Sequence, residues 1–79
     1  MKEGIRRKAI KFPENRKISE KLMPGDRVII AQYAGLSPAT IRDMMMGHRR
    51  ITDKAARAII RLMNERKELG QALDEIVNQ

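Results

Sequence analysis

The chain has no cysteine and no tryptophan, a single tyrosine and a single phenylalanine, and only five glycines and three prolines in 79 residues. Without cysteine there is neither a disulfide framework nor a thiolate metal site, so packing must hold the fold. The shortage of aromatics argues against an all-β domain and against a platform on which bases stack. No apolar run approaches the roughly 20 residues of a membrane span, and the N-terminus lacks the apolar region of a signal peptide. Catalytic arrangements are missing too. His48 is the only histidine and has no matched acid nearby, no glycine-rich phosphate loop occurs, and Glu68, Asp74 and Glu75 lack metal-ligand spacing. The expectation is a non-enzymatic, mostly helical domain without cofactor or metal, cytoplasmic and nucleoid-associated rather than membrane-bound.

Positive charge is what the chain has in excess. Seventeen Lys and Arg oppose ten Asp and Glu, a formal charge of +7, which points to a polyanionic partner. The charge is uneven: residues 1–25 carry a net +5, residues 26–66 a net +4, and residues 67–79 a net −2. The basic surface therefore belongs to residues 1–66.

Turn chemistry divides the chain into helical segments. Residues 1–13 read as a basic arm, mobile in isolation and carrying Arg6, Arg7 and Lys8, which ends at Pro13. A first helix is expected over Glu14 to Met23, with Ile18 and Leu22 on one face. Pro24-Gly25 breaks it, and Asp26 is placed to cap a helix over Arg27 to Ala34. Gly35 can reverse the chain in the left-handed conformation. Ser37 caps a third helix with Pro38 at its first position, running to Met46 and ended by Gly47. Thr52 and Asp53 open a fourth, whose apolar stripe is Ala55, Ala56, Ile59, Ile60, Leu62 and Met63. Leu69, Leu73, Ile76 and Val77 continue the stripe, while Gly70, about 1 kcal/mol poorer than Ala, leaves room for a kink or break. The expected fold is an all-α, compact four- to five-helix domain: arm 1–13, helical core 14–66, and a C-terminal amphipathic helix 67–79 for dimerisation or a partner.

Arg27 to Met46 is the informative stretch. Two short helices meet at a tight turn, with Ala31 four residues before Gly35 where a steep crossing admits nothing larger. Ile30, Ala34, Leu36, Ile41 and Met44 fill the apolar positions around it, and Ile29 falls one place before the core position. Met44 and Met45 read as adaptable core filler and Met46 as partly exposed. The run Ala31-Gln32-Tyr33-Ala34-Gly35-Leu36-Ser37-Pro38-Ala39-Thr40-Ile41 resembles the helix-turn-helix headpiece of lac-repressor-type regulators. The stretch from about Leu22 to Met63 resembles the lambda-repressor-like family of small phage and mobile-element regulators. Met46-Gly47-His48-Arg49-Arg50 is similar to the Asn-Gly-Lys-Arg ending common after that family's recognition helix.

The resemblance implies that the helix from Ser37 to Met46 lies in the major groove of double-stranded DNA. Ser37, Pro38, Ala39, Thr40, Arg42 and Asp43 would then face the bases. Arg42 suits guanine O6 and N7, Asp43 a cytosine amino group, and Ala39 and the Thr40 methyl a thymine methyl. The other reading of Asp43 is an ion pair with Arg42, Arg50 or a neighbour. Arg27, His48, Arg49, Arg50 and Lys54 are the phosphate candidates, and Arg6, Arg7 and Lys8 would follow the backbone or enter the minor groove. Met46 stands where the family often has Asn, and Pro38 and Ala39 replace longer polar side chains, so Arg42 carries much of the readout. A homodimer through Leu69, Leu73, Ile76 and Val77 would set two recognition helices about 34 Å apart. The expected function is a sequence-specific DNA-binding regulator, a repressor, acting by occlusion or by contacting polymerase directly. The alternatives are an antitoxin or adaptor that binds a protein through residues 67–79, or an architectural or recombination accessory factor.

Overall fold

The computed structural model describes residues 9–79, so Arg6, Arg7 and Lys8 of the arm lie outside the described residues. Helix accounts for 66% of the structure and no strand occurs among the described residues, which makes the fold all-α. Four helices follow in order: α1 (Asn15–Ser19), α2 (Asp26–Ala34), α3 (Pro38–Met45) and α4 (Asp53–Val77).

α1 is half the length expected from the sequence. After Ser19 the amides of Lys21 and Leu22 bond three residues back, to Ile18 and Ser19 at 3.0 Å, so the helix tightens and stops. The Met23 amide, which would have extended it, donates instead to Asp26 Oδ2 at 2.7 Å. Asp26 is consequently not the cap of α2. It is the first residue of that helix, Gly25 takes the capping position at φ 89°, and the Asp26 carboxylate turns inward. Ile18 and Leu22 still share one face and pack half-buried against the core, as the spacing predicts.

The other boundaries follow the turn chemistry closely. Gly35 closes α2 at φ 68°, with the Leu36 amide returning to Ala31 O at 3.0 Å. Ser37 Oγ accepts from the Thr40 amide at 3.1 Å and Pro38 opens α3. Met46, expected as the last helical residue, is the C-cap, and Gly47 follows at φ 85°. Thr52 Oγ1 accepts from the Ala55 amide at 3.3 Å to start α4. That helix runs through Gly70 without a break, so the C-terminal segment is a continuation of the fourth helix and not a fifth.

α2 packs against both α3 and α4, and α1 rests on α3. The core joins Ile30, Ala31 and Ala34 of α2 to Ile41, Met44 and Met45 of α3 and to Ala55, Ala58, Ile59 and Leu62 of α4. Four of these ten core residues are alanines, Ala31 and Ala34 on α2 and Ala55 and Ala58 on α4. Ile60, assigned to the stripe from sequence, is 58% exposed, and Ala58 takes its place. One residue past Ile59 turns the side chain by about 100°, out of the contact with α2. Ile29 is half-buried against the core.

One charged pair crosses the same interface. Asp26 is only 1% exposed, and Arg66 of α4 donates from both terminal nitrogens to its two carboxylate oxygens. These bonds, with the Met23 amide, hold the Asp26 carboxyl below the usual carboxylate range against the opposing push of burial. The start of α2 is thereby fixed to the point where α4 leaves the core.

Candidate nucleic-acid interface

α3 is seated by Ile41, Met44 and Met45, and its other side faces outward. Ser37, Pro38, Ala39, Arg42 and Met46 are exposed, while Thr40 and Asp43 are half-buried. The six residues read from sequence as base-facing therefore share the outer surface of one helix. They differ in what they have left to offer. Ser37 Oγ is used in the cap and lies 2.9 Å from Thr40 Oγ1, so these two hydroxyls largely satisfy each other. Arg42 extends into a shallow groove that it lines together with Asp43, Met46 and His48.

Cations flank this surface. Arg49 and Arg50 are exposed in the turn after α3. Arg50 and Lys54 line one groove with Leu36, Ile51, Thr52 and Asp53, which brings the α3–α4 turn and the start of α4 beside the α2–α3 turn. Arg27 is placed elsewhere. It lines a depression with Leu22, Met23 and Val28 near the start of α2, and neither groove around α3 includes it.

Backbone contacts fix the C-terminal end of α3 in a way the sequence did not signal. The amides of Lys11 and Phe12 both donate to Gly47 O, at 2.9 and 3.0 Å. The Asn15 side-chain amide donates to Met44 O and Arg49 O, each at 3.0 Å, joining the end of α3 to the basic turn. A methyl group at Gly47 would stand 2.8 Å from Phe12 O, so glycine is required there by both the positive φ and the close approach. Residues 9–12 of the arm, expected to be mobile, are therefore bound to the turn beside α3. His48 takes part: its Nδ1 lies 3.1 Å from Ala9 O, a bond in which the ring nitrogen must donate. Of the ring nitrogens, Nε2 is then left for an outside partner.

A second basic group lies along α4. Lys54, Arg57 and Arg61 line a groove with Tyr33 and Ala34. The Arg61 guanidinium sits 3.8 Å above the Tyr33 ring, and Tyr33 donates its hydroxyl proton to Glu65 at 2.6 Å, which raises the phenol's pKa. Of these three cations, Lys54 alone was among the phosphate candidates read from the sequence. Among the described residues no group of three or more His, Asp or Glu could hold a metal ion, and no helix is long and apolar enough to cross a membrane.

Comparison with known proteins gives no match: no family model fits the chain, and neither a curated protein nor a solved structure matches it. Any functional reading therefore rests on the geometry and charge of the chain itself.

Proposed function

We propose that the chain binds double-stranded DNA, with α3 in the major groove and the turn after it on the phosphate backbone. The proposed architecture is a lambda-repressor-like helix-turn-helix formed by α2 and α3. In this reading Arg42 makes the principal base contact, and Asp43, Ala39 and Thr40 tune the site around it. Arg49, Arg50 and Lys54 bind phosphates. The biological role that follows is transcriptional regulation, as a repressor that occludes its site.

The observation that carries the proposal is the exposed face of α3, bearing Arg42 and bordered by Arg49, Arg50 and Lys54, on a chain of net charge +7. Asn15 and Gly47 hold the basic turn at a fixed place relative to α3. That rigidity matters because phosphate contacts set the register in which a helix meets base edges. The test is fluorescence-anisotropy titration of a labelled duplex at several salt concentrations. Arg49→Ala is expected to weaken binding to all duplexes alike and to reduce the slope of log affinity against log salt by about one. Identical slopes for the variant and the parent would remove Arg49 from the interface.

A further inference from the structure

α4 outlasts the domain it belongs to. Its buried residues end at Leu62 and Arg66 binds Asp26 of α2, yet the helix continues to Val77. The tail past Arg66 is about 17 Å long at 1.5 Å per residue. Leu69, Leu73, Ile76 and Val77 on it are between 54% and 78% exposed.

The apolar positions of the tail are not scattered. Ala55, Ile59, Leu62, Arg66, Leu69, Leu73 and Ile76 follow one another at alternating steps of four and three, the spacing of a helix–helix seam. The first three bury against α2, and Arg66 occupies the fourth place by binding Asp26. The last three continue on the same side of the helix, exposed and outside the core cluster of the described residues. At 100° per residue, Leu69, Gly70, Ala72, Leu73, Ile76 and Val77 span an uncharged arc of about 160°. Lys67, Glu68, Asp74 and Glu75 all fall on the opposite side.

Gly70 adds an independent observation. A glycine inside an exposed helix costs about 1 kcal/mol relative to alanine, and a methyl group there would meet nothing within 4 Å. Its smallness serves no contact among the described residues. It leaves a recess on the apolar arc, one turn before Leu73.

We infer that the tail pairs with the tail of a second copy of this chain, antiparallel, about a two-fold axis near Leu73. In that register Leu73 meets its own counterpart, Leu69 faces Val77 of the other copy, and Ile76 fills the recess at Gly70. Charge selects the direction. Residues 67–79 carry a net −2 and the rest of the chain a net +9. Antiparallel pairing carries each acidic end toward the other copy's basic domain. Parallel pairing would gather two Asp74, two Glu75 and two negative helix ends at one place. Area sets the strength. A strip about 17 Å by 10 Å gives well under the roughly 800 Å² per partner of a standard interface. Met23, 60% exposed and tied through Asp26 to Arg66 at the base of the tail, supplies further apolar surface where the other copy's Val77 arrives. The dimer is accordingly weak, dissociating in the micromolar range.

This inference goes beyond DNA binding and is tested without DNA. The absence of cysteine lets engineered thiols report position without interference. Leu69→Cys and Val77→Cys are oxidised separately and as an equimolar mixture, at concentrations where sedimentation equilibrium shows dimer. The expected result is a cross-linked dimer in the mixture and little from either variant alone. In the antiparallel register, equivalent positions lie eight residues apart along the helix, beyond the ~7 Å reach of a disulfide. Efficient cross-linking of each variant alone would overturn the antiparallel arrangement. A parent chain that stays monomeric up to several hundred micromolar would overturn pairing altogether and leave the tail to a different protein. Gly70→Leu is expected to weaken self-association at least tenfold while helix content holds or rises; unchanged association would remove Gly70 from the interface.

Discussion

Arg66→Met is expected to lower the melting midpoint by about 10 °C or more, because it leaves the Asp26 carboxylate buried without its counter-ion. Asp26 is 1% exposed and cannot reach water without opening the start of α2. Asp26→Ala should cost less, since the Arg66 side chain is already 33% exposed and can turn into solvent. The asymmetry between the two partners distinguishes a buried, counter-ion-dependent carboxylate from an ordinary surface ion pair, whose two halves would be nearly equivalent and nearly neutral.

The pH dependence of the two proteins should have opposite sign. In the parent, hydrogen bonds from Arg66 and the Met23 amide hold the Asp26 carboxyl below its unfolded value, outweighing burial. The stability this contributes is fully present above about pH 4 and is lost as pH falls through the lower folded value. With Arg66 removed, burial dominates and the folded value rises. The variant then gains stability relative to its neutral-pH state as acid protonates Asp26. Thermal melts by far-UV circular dichroism across the acidic range measure both trends. Parallel pH profiles for parent and variant would show that Asp26 does not depend on Arg66.

Arg42→Ala is expected to leave the fold intact and to lower discrimination at one guanine of the bound site by about 1–3 kcal/mol, roughly 5- to 150-fold. Arg42 is exposed on α3 and lines the groove with Asp43, Met46 and His48, so truncation removes no core contact. The neighbouring Ser37 and Thr40 hydroxyls are already committed to each other and to the helix cap. That leaves Arg42 as the side chain on this face best suited to a two-point base contact. Competition binding against duplexes varied one base pair at a time measures the loss. A uniform weakening across all sequences would reassign Arg42 to the phosphates.

Much of the architecture could be read from short-range chemistry. Gly35, Ser37-Pro38, Gly47 and Thr52 each impose a local conformation through their own backbone or side chain, and each bounds an element where expected. The reading failed where a distant residue competes. Asp26 has the composition of a helix cap, but Arg66, forty positions away, draws its carboxylate inward, and the Met23 amide follows and shortens α1. Residues 9–12 read as an arm because nothing local marks them; their bonds go to Gly47 and His48, which are distant in sequence. Ile60 shows the resolution limit of periodicity, since neighbouring apolar residues at 59 and 60 differ by only one step around the helix. Gly70 illustrates the reverse case, where a residue costly to an isolated helix is carried by the 25-residue α4 without a break. The outward face of α3 was legible because burial of Ile41, Met44 and Met45 determines which residues remain outside. The Tyr33–Arg61–Glu65 cluster was not, because it joins two helices whose crossing had to be seen.

Whether α3 reads DNA sequence is decided by selecting binding sites from a random duplex pool at two salt concentrations. The expected result is enrichment of a defined motif containing guanine, with affinity falling as salt rises. Salt-sensitive binding with no enriched motif would contradict base readout and leave only backbone or shape recognition, and no binding at either salt would contradict the DNA assignment itself.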